Sequence, residues 1–243
     1  SRSGKDMTSR MRTFCSKRVR ELESENLCGF IFKSGSPSSG MDRVKVYDEN
    51  GVPKKVGVGL FARAFMEHFP LVPVEDDGRL HDPGLRENFF ENIFIFRDYR
   101  TVRRSKDMGD LVEFQEDHKM QHMSHSTERT REMGRLVAKG ASQVQNLFGR
   151  YEVLLRECMK DMPTPGKNAN VMMHMLGYFR EELTSDEKQE ILTHIEHYRD
   201  GMVPLIVPVT LLAHHVRKYE VDYLRGQTYL NPHPLELRLR NHA

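Results

Sequence analysis

The stretch FIFKSGSPSSG, residues 30–40, runs an apolar segment straight into a loop of glycine, serine and proline. What that loop holds decides how the surrounding chain is read. Loops positioned by a rigid strand are where ligands usually sit, and these residue types let backbone N–H groups approach an anion or a cluster closely. The same residues also make an ordinary tight turn. Before the loop, Met11, Cys15, Val19 and Leu22 recur at helical spacing, which predicts a helix from Thr8 and gives Cys15 a place in a core. A strand is predicted over about Cys28 to Lys33, leading into the loop. After the loop, RVKVY (43–47) alternates as a strand does, and DENGVP supplies turn residues. Then GVGLFARAFMEHF enters a second helix, followed by the extended LVPV, the polar EDDGRLHDPG and the helical LRENFFENIFIF. Asp82 is placed to cap that last helix, with Pro83 at its first position. Strands alternating with helices predict an α/β domain.

Past this region the texture is helical. One helix is predicted over 108–126 through Leu111, Phe114, Met120 and Met123, a second over 142–162 and a third after Asn168. Thr184 and Glu187 have the spacing of a capping box opening SDEKQEILTHIEHYRD, and Gly201 stands where a C-terminal cap belongs. A final helix is expected from Pro204 or Pro208 through VTLLAHHVRKYEVDYL, up to the stop signal NPHP. The basic run RDYRTVRRSK (97–106) marks the expected boundary, separating an α/β part, 1–104, from an all-α helical bundle, 105–243.

Composition narrows the function classes. With 243 residues and 38% hydrophobic content the chain can build one large or two modest cores. No run has the length of a membrane span and the start lacks the apolar centre of a secretory signal, so a cytoplasmic location is the default expectation. Cys15, Cys28 and Cys158 are widely spaced with no CxxC pair, which suggests neither a disulfide framework nor a zinc knuckle. The net charge of +2 does not announce a nucleic-acid binder, so any such role needs a local patch.

Several side-chain patterns carry potential chemistry. His118, His122 and His125 in HKMQHMSH fall at i, i+4 and i+7, a spacing that suits a metal, while His118, Lys119 and His125 equally suit a phosphate or carboxylate. GVG at 57–59 lacks the third glycine of a dinucleotide fingerprint. Cys158 follows Leu147, Tyr151 and Leu154 on an apolar stripe, as Cys15 does on its own helix. Cys28 has no such stripe and opens the strand that feeds the loop.

The motifs FIFKSGSPSSGMDRVKVY, GVGLFARAF and FPLVPVEDDGRLHDPGLRENF resemble the second half of the thiouracil desulfidase family. FQEDHKMQHMSHS, ANVMMHMLGYF, VPLIVPVTLLAHHV and YLRGQTYLNPHPLELRLR resemble the helical domain fused to such enzymes in bacterial tRNA 4-thiouridine desulfidases. The resemblance implies a partial Rossmann-like domain followed by a helical tRNA-binding domain. It also implies a [4Fe-4S] cluster on three cysteines, whose open iron takes the sulfur of a thiolated uracil while water replaces it. The implied partner is tRNA or a thiolated nucleobase.

In that family the loop reads Ser-Pro-Ser-Cys-Gly and supplies the third cluster ligand. Ser39 stands at the cysteine's place here, which makes Ser36 and Ser39 the catalytic candidates. A serine oxygen is a poor substitute for thiolate at iron. Cys28 is then the candidate cluster and metal ligand. His118, Lys119, His125, Arg217, Lys218, Arg225 and Arg238 are the candidates for a phosphate-binding face. The family's first half, with its two other cysteines, is not in this sequence, so a fragment or a catalytically incomplete form is expected. A non-catalytic RNA-binding or interaction module is the alternative.

Overall fold

In the computed structural model, which describes residues 6–142, 145–179 and 182–240, the chain falls into two units, Ser1–Phe96 and Arg97–Ala243. The first contains α1 (Thr8–Glu21), β1 (Phe30–Phe32), β2 (Val44–Tyr47), β3 (Pro53–Gly57), α2 (Leu60–His68), β4 (Val74–Asp76) and the opening turns of α3 (Pro83–Ser105). β1 and β4 pair in parallel, with Phe30 opposite Val74 and Phe32 opposite Asp76. β2 and β3 form a separate antiparallel hairpin.

The partial Rossmann-like sheet is therefore not formed among the described residues: two two-stranded sheets stand in its place. The residues give the reason. Val44 is the one buried side chain of β2 and β3 together, so the hairpin has no apolar face on which to extend a sheet or seat a helix.

Phe65 of α2 organises the core of this unit. Its ring is fully buried, 4.4 Å from Phe30, 5.5 Å from Phe32 and 4.9 Å from Phe69, with Val19 and Leu22 completing the cluster. Removing such a ring costs about 3–5 kcal/mol. A side chain at Gly29 would lie 2.6 Å from the Ile93 Cγ1 atom, so the entrance of β1 sits directly against α3. Asp82 caps α3 as expected, its carboxylate accepting from the Leu85 amide at 2.9 Å.

The second unit is helical, as expected. After the end of α3 come α4 (Met108–Asp117), α5 (Lys119–His125), α6 (Thr127–Lys139), α7 (Leu147–Lys160), α8 (Pro165–Leu176), α9 (Ser185–Arg199), α10 (Ile206–Lys218) and α11 (Asp222–Arg225). The helix predicted over 108–126 breaks at His118, whose φ of −95° and ψ of 1° end α4 and start α5. The helix predicted from 142 starts at Leu147. α6 was not anticipated, because Met133, Leu136 and Val137 are few among its charges. Residues 97–105 of the basic run are the C-terminal part of α3, with Tyr99 and Val102 turned inward and Lys106 just past its end.

The capping box of α9 is complete, Thr184 Oγ1 accepting from the Glu187 amide and Glu187 from the Thr184 amide. Gly201 closes the helix at a φ of 75°, where glycine carries no steric penalty. Met172, Met175, Phe179, Ile191, Leu212 and Tyr229 lie in one core cluster of this unit. Among the described residues no helix is long and apolar enough to cross a membrane.

Candidate functional site

The carboxyl ends of β1 and β4 lie side by side, and that is where the serine loop begins. In open α/β arrangements the crevice beyond the strand carboxyl ends is the ordinary ligand position. The Asp77 amide donates to Phe32 O at 2.9 Å, extending the pairing past both strands. The Asp77 carboxylate accepts from the Ser34 amide and from Lys33 Nζ, each at 2.8 Å. The Lys33 ammonium, and then the Ser34 amide, hold the Asp77 carboxyl below its usual range.

Within the loop Ser36 is a staple. Its hydroxyl accepts from the Ser39 amide at 3.2 Å and the Ser38 amide at 3.4 Å, and lies 3.1 Å from the Ser38 hydroxyl. Its carbonyl accepts from Gly40 N at 2.8 Å. The Ser38 carbonyl then reaches the start of α2, accepting from the amides of Phe61 at 2.8 Å and Ala62 at 3.3 Å. The loop thus caps a helix with its own backbone. Gly59 permits this approach: a Cβ there would stand 2.4 Å from Ser38 O.

These contacts redistribute the roles expected from the sequence. The amides of Ser38, Ser39, Gly40, Phe61 and Ala62 are engaged inside the protein, so they do not form an open anion cradle. Ser36, expected to be catalytic, shapes the loop. Ser39 is half-buried, and among the described residues its hydroxyl makes no hydrogen bond. Asp76 falls within the stretch EDDGRLHDPG, which the sequence presents only as a polar loop. It is buried at the end of β4 and accepts from the Gly78 amide at 2.9 Å. Its position two residues beyond Val74 on the same face of the strand is the signal that could have found it.

The thiols do not converge on this loop. Cys28 lies before the amino end of β1, its Sγ 3.6 Å from Asn26 O, whereas the loop leaves the carboxyl end. The three residues of β1 alone separate the two ends by about 10 Å, at 3.3 Å per residue. Cys15 is buried in the first unit, and burial raises its pKa. Cys158 belongs to the second unit, where burial pushes its thiol up to about 12 and its Sγ lies 3.5 Å from His122 O. Serine hydroxyls and scattered thiols do not fit a cluster bound through three thiolates.

In the helical unit, the residues grouped as a phosphate-binding face are not all at the surface. His118 and His125 are buried, each held by a distant or preceding carbonyl: His118 Nδ1 is 3.0 Å from Phe114 O and His125 Nδ1 is 2.8 Å from Asp161 O. His122 between them is fully buried, with neither ring nitrogen hydrogen-bonded among the described residues. Burial, then the neighbouring His118 and His125, hold its pKa well below the usual imidazole value. The apolar Met120 and Met123 share α5 with His122 and His125, and every residue from Met120 to His125 is buried, so past Lys119 this short helix is core rather than surface. Lys218 is at the surface but committed, its Nζ 2.6 Å from Glu187. Arg225 pairs with Asp222 at 3.4 Å. Lys119, Arg217 and Arg238 are exposed.

Residues 1–77 match the 2-thiouracil desulfurase family, a span that takes in β1, β4 and the serine loop. Residues 119–234 match a family described as a protein of unknown function (DUF1722). Over 146 residues the chain is 31% identical to the uncharacterized protein YbgA of Escherichia coli (strain K12), covering 59% of this chain and 86% of that relative. No solved structure matches.

Proposed function

This chain belongs to the YbgA family, and because its first 77 residues match the 2-thiouracil desulfurase family we propose that it is a desulfurase-related protein that binds a thiolated uracil, 4-thiouridine in tRNA, at the carboxyl ends of β1 and β4. The observation that carries this reading is an unengaged hydroxyl, Ser39, in the loop that leaves the carboxyl end of β1, where β4 ends in a buried carboxylate, Asp76. A thiouracil ring presents an N3–H donor beside a thiocarbonyl acceptor. A carboxylate accepts from the first and a hydroxyl donates to the second.

Exchange of the base's sulfur for oxygen consumes one water and releases hydrogen sulfide, with no electrons transferred. The carbon–sulfur bond breaks as a carbon–oxygen bond forms, and the departing sulfur has to be stabilised. A [4Fe-4S] cluster would supply a soft Lewis acid for that sulfur, but the donors present at this loop do not fit one. Ser39 where the family has a cysteine favours a second reading, recognition of the thiolated base without turnover.

Binding of 4-thiouridine by calorimetry tests the first premise. The protein is expected to bind it, and Ser39→Val and Asp76→Asn each to weaken binding about tenfold, the effect of losing one buried hydrogen bond of about 1.4 kcal/mol. Absence of any binding overturns the reading. Sulfide release, measured anaerobically after iron reconstitution with acid-labile sulfide quantified in parallel, separates turnover from recognition.

A further inference from the structure

The β2–β3 hairpin is explained by neither reading, yet it is rooted in the candidate site. β2 leaves the serine loop, β3 runs into α2, and Gly59 N donates to Gly40 O at 2.8 Å across its base. From that root its strands extend about 13 Å, four residues at 3.3 Å each. Lys45 stands directly opposite Lys55, and Val46 opposite Lys54. Like charges facing across a ladder destabilise it. Among the described residues no carboxylate pairs with Lys45, Lys54 or Lys55. The hairpin's own acidic side chains are at its tip, where Asp48 shapes the turn by accepting from the Asn50 amide at 3.0 Å and the Val52 amide at 2.9 Å.

Strand alternation puts Tyr47 on the same face as Lys45, and its side chain is 62% exposed. A repelling lysine pair beside an open aromatic ring, on a ribbon with no core to protect, fits a polyanion that also offers flat apolar faces. We propose that the β2–β3 hairpin is an RNA-binding arm, in which Lys45 and Lys55 take backbone phosphates and Tyr47 stacks on a base of the strand that brings the thiolated nucleotide to the serine loop. The choice of RNA rests on the base-binding reading. An acidic protein surface would satisfy the lysines but leave the ring without a stacking partner.

The probes are a tRNA carrying 4-thiouridine, the same tRNA without it, and free 4-thiouridine, each titrated at several salt concentrations. Lys45→Gln/Lys55→Gln is expected to weaken binding of both RNAs about tenfold near physiological salt, and to flatten the slope of log affinity against log salt by about one to two, the loss of two phosphate contacts. Lys45→Arg/Lys55→Arg should restore both. Tyr47→Ala should weaken RNA binding about tenfold through lost stacking and leave the slope alone. Free nucleoside should bind all four proteins equally.

Unchanged RNA affinity in the double glutamine variant overturns the arm, and so does an equal loss in the arginine variant. Displacement of RNA by polyglutamate of matched charge, with Tyr47→Ala silent, overturns it in favour of an acidic protein. Nucleoside binding without any arm effect leaves the base-binding reading standing alone. Arm-dependent RNA binding without nucleoside binding removes that reading and keeps the arm.

Discussion

At the scale of single residues, the candidate site depends on a glycine as much as on its serines. Gly59 has an ordinary extended backbone, φ −62° and ψ 145°, so backbone freedom is not what it supplies. It supplies space, because a Cβ would stand 2.4 Å from Ser38 O and 2.8 Å from Ser39 N, both backbone atoms that a rotamer change cannot clear. Gly59→Ala is therefore expected to destabilise the protein by about 1–3 kcal/mol, the usual cost of overpacking. It should also weaken 4-thiouridine binding by displacing Ser39. Gly134→Ala is the matching control: it lies within α6 with nothing within 4 Å of the added methyl, and is expected to stabilise by about 0.5–1 kcal/mol through helix propensity. Urea denaturation of the two variants reads both signs. A neutral Gly59→Ala would show that the loop is not clamped to α2.

At the scale of elements, what the sequence disclosed and what it concealed follow from how far the determining contacts reach. The caps of α3 and α9 were legible because Asp82 with Leu85, and Thr184 with Glu187, satisfy each other within one turn. The break at His118 and the burial of His118, His122 and His125 were not. Their surroundings come from elsewhere in the chain, with Asp161 O against His125 and Cys158 against His122 O, so periodicity within α5 alone could not separate a surface from a core. In the same way the serine loop was legible as a loop, but its hold on α2 was not.

Glu187 shows how a local signal can also carry tertiary weight. Besides closing the capping box it accepts from Lys218 Nζ at 2.6 Å and from the Tyr219 hydroxyl at 2.7 Å, joining α9 to the end of α10. The Lys218 ammonium, then the Thr184 and Tyr219 donors, hold its pKa below the ordinary carboxylate range. A carboxyl depressed on folding contributes stability above its unfolded pKa of about 4.3 and loses it as pH falls towards the folded value. Glu187→Gln is therefore expected to lower the melting temperature at pH 7 and to flatten the loss of stability below about pH 4.3. An acid limb identical to that of the unchanged protein would mean the carboxylate contributes nothing as a charge.

At the scale of the whole molecule, the basic run that suggested a boundary after residue 104 is helical, and its inward side belongs to the second unit. Tyr99 is fully buried, stacked on Tyr151 at 5.2 Å, and its hydroxyl donates to Phe148 O at 2.5 Å. Arg103 pairs with Glu152, a buried carboxylate whose pKa burial raises and Arg103 pulls back. Both anchors lie on α3 ahead of residue 105, although the residues they hold lie on or next to α7. A chain running from Ser105 to Ala243 would lose a buried aromatic ring and leave Glu152 without its cation. Losing the ring costs about 3–5 kcal/mol when made in an intact core, and losing the cation, whose side chain is half exposed, adds a smaller cost. A chain running from Arg97 to Ala243 keeps both. The longer piece is expected to show a cooperative urea transition with native-like helical circular dichroism, and the shorter one to be less stable by at least about 3 kcal/mol. The short piece should recover part of that difference when Glu152→Gln removes the stranded charge. Equal stability of the two pieces would mean that residues 97–104 are a linker after all, and that Tyr99 and Arg103 contribute nothing to the helical core.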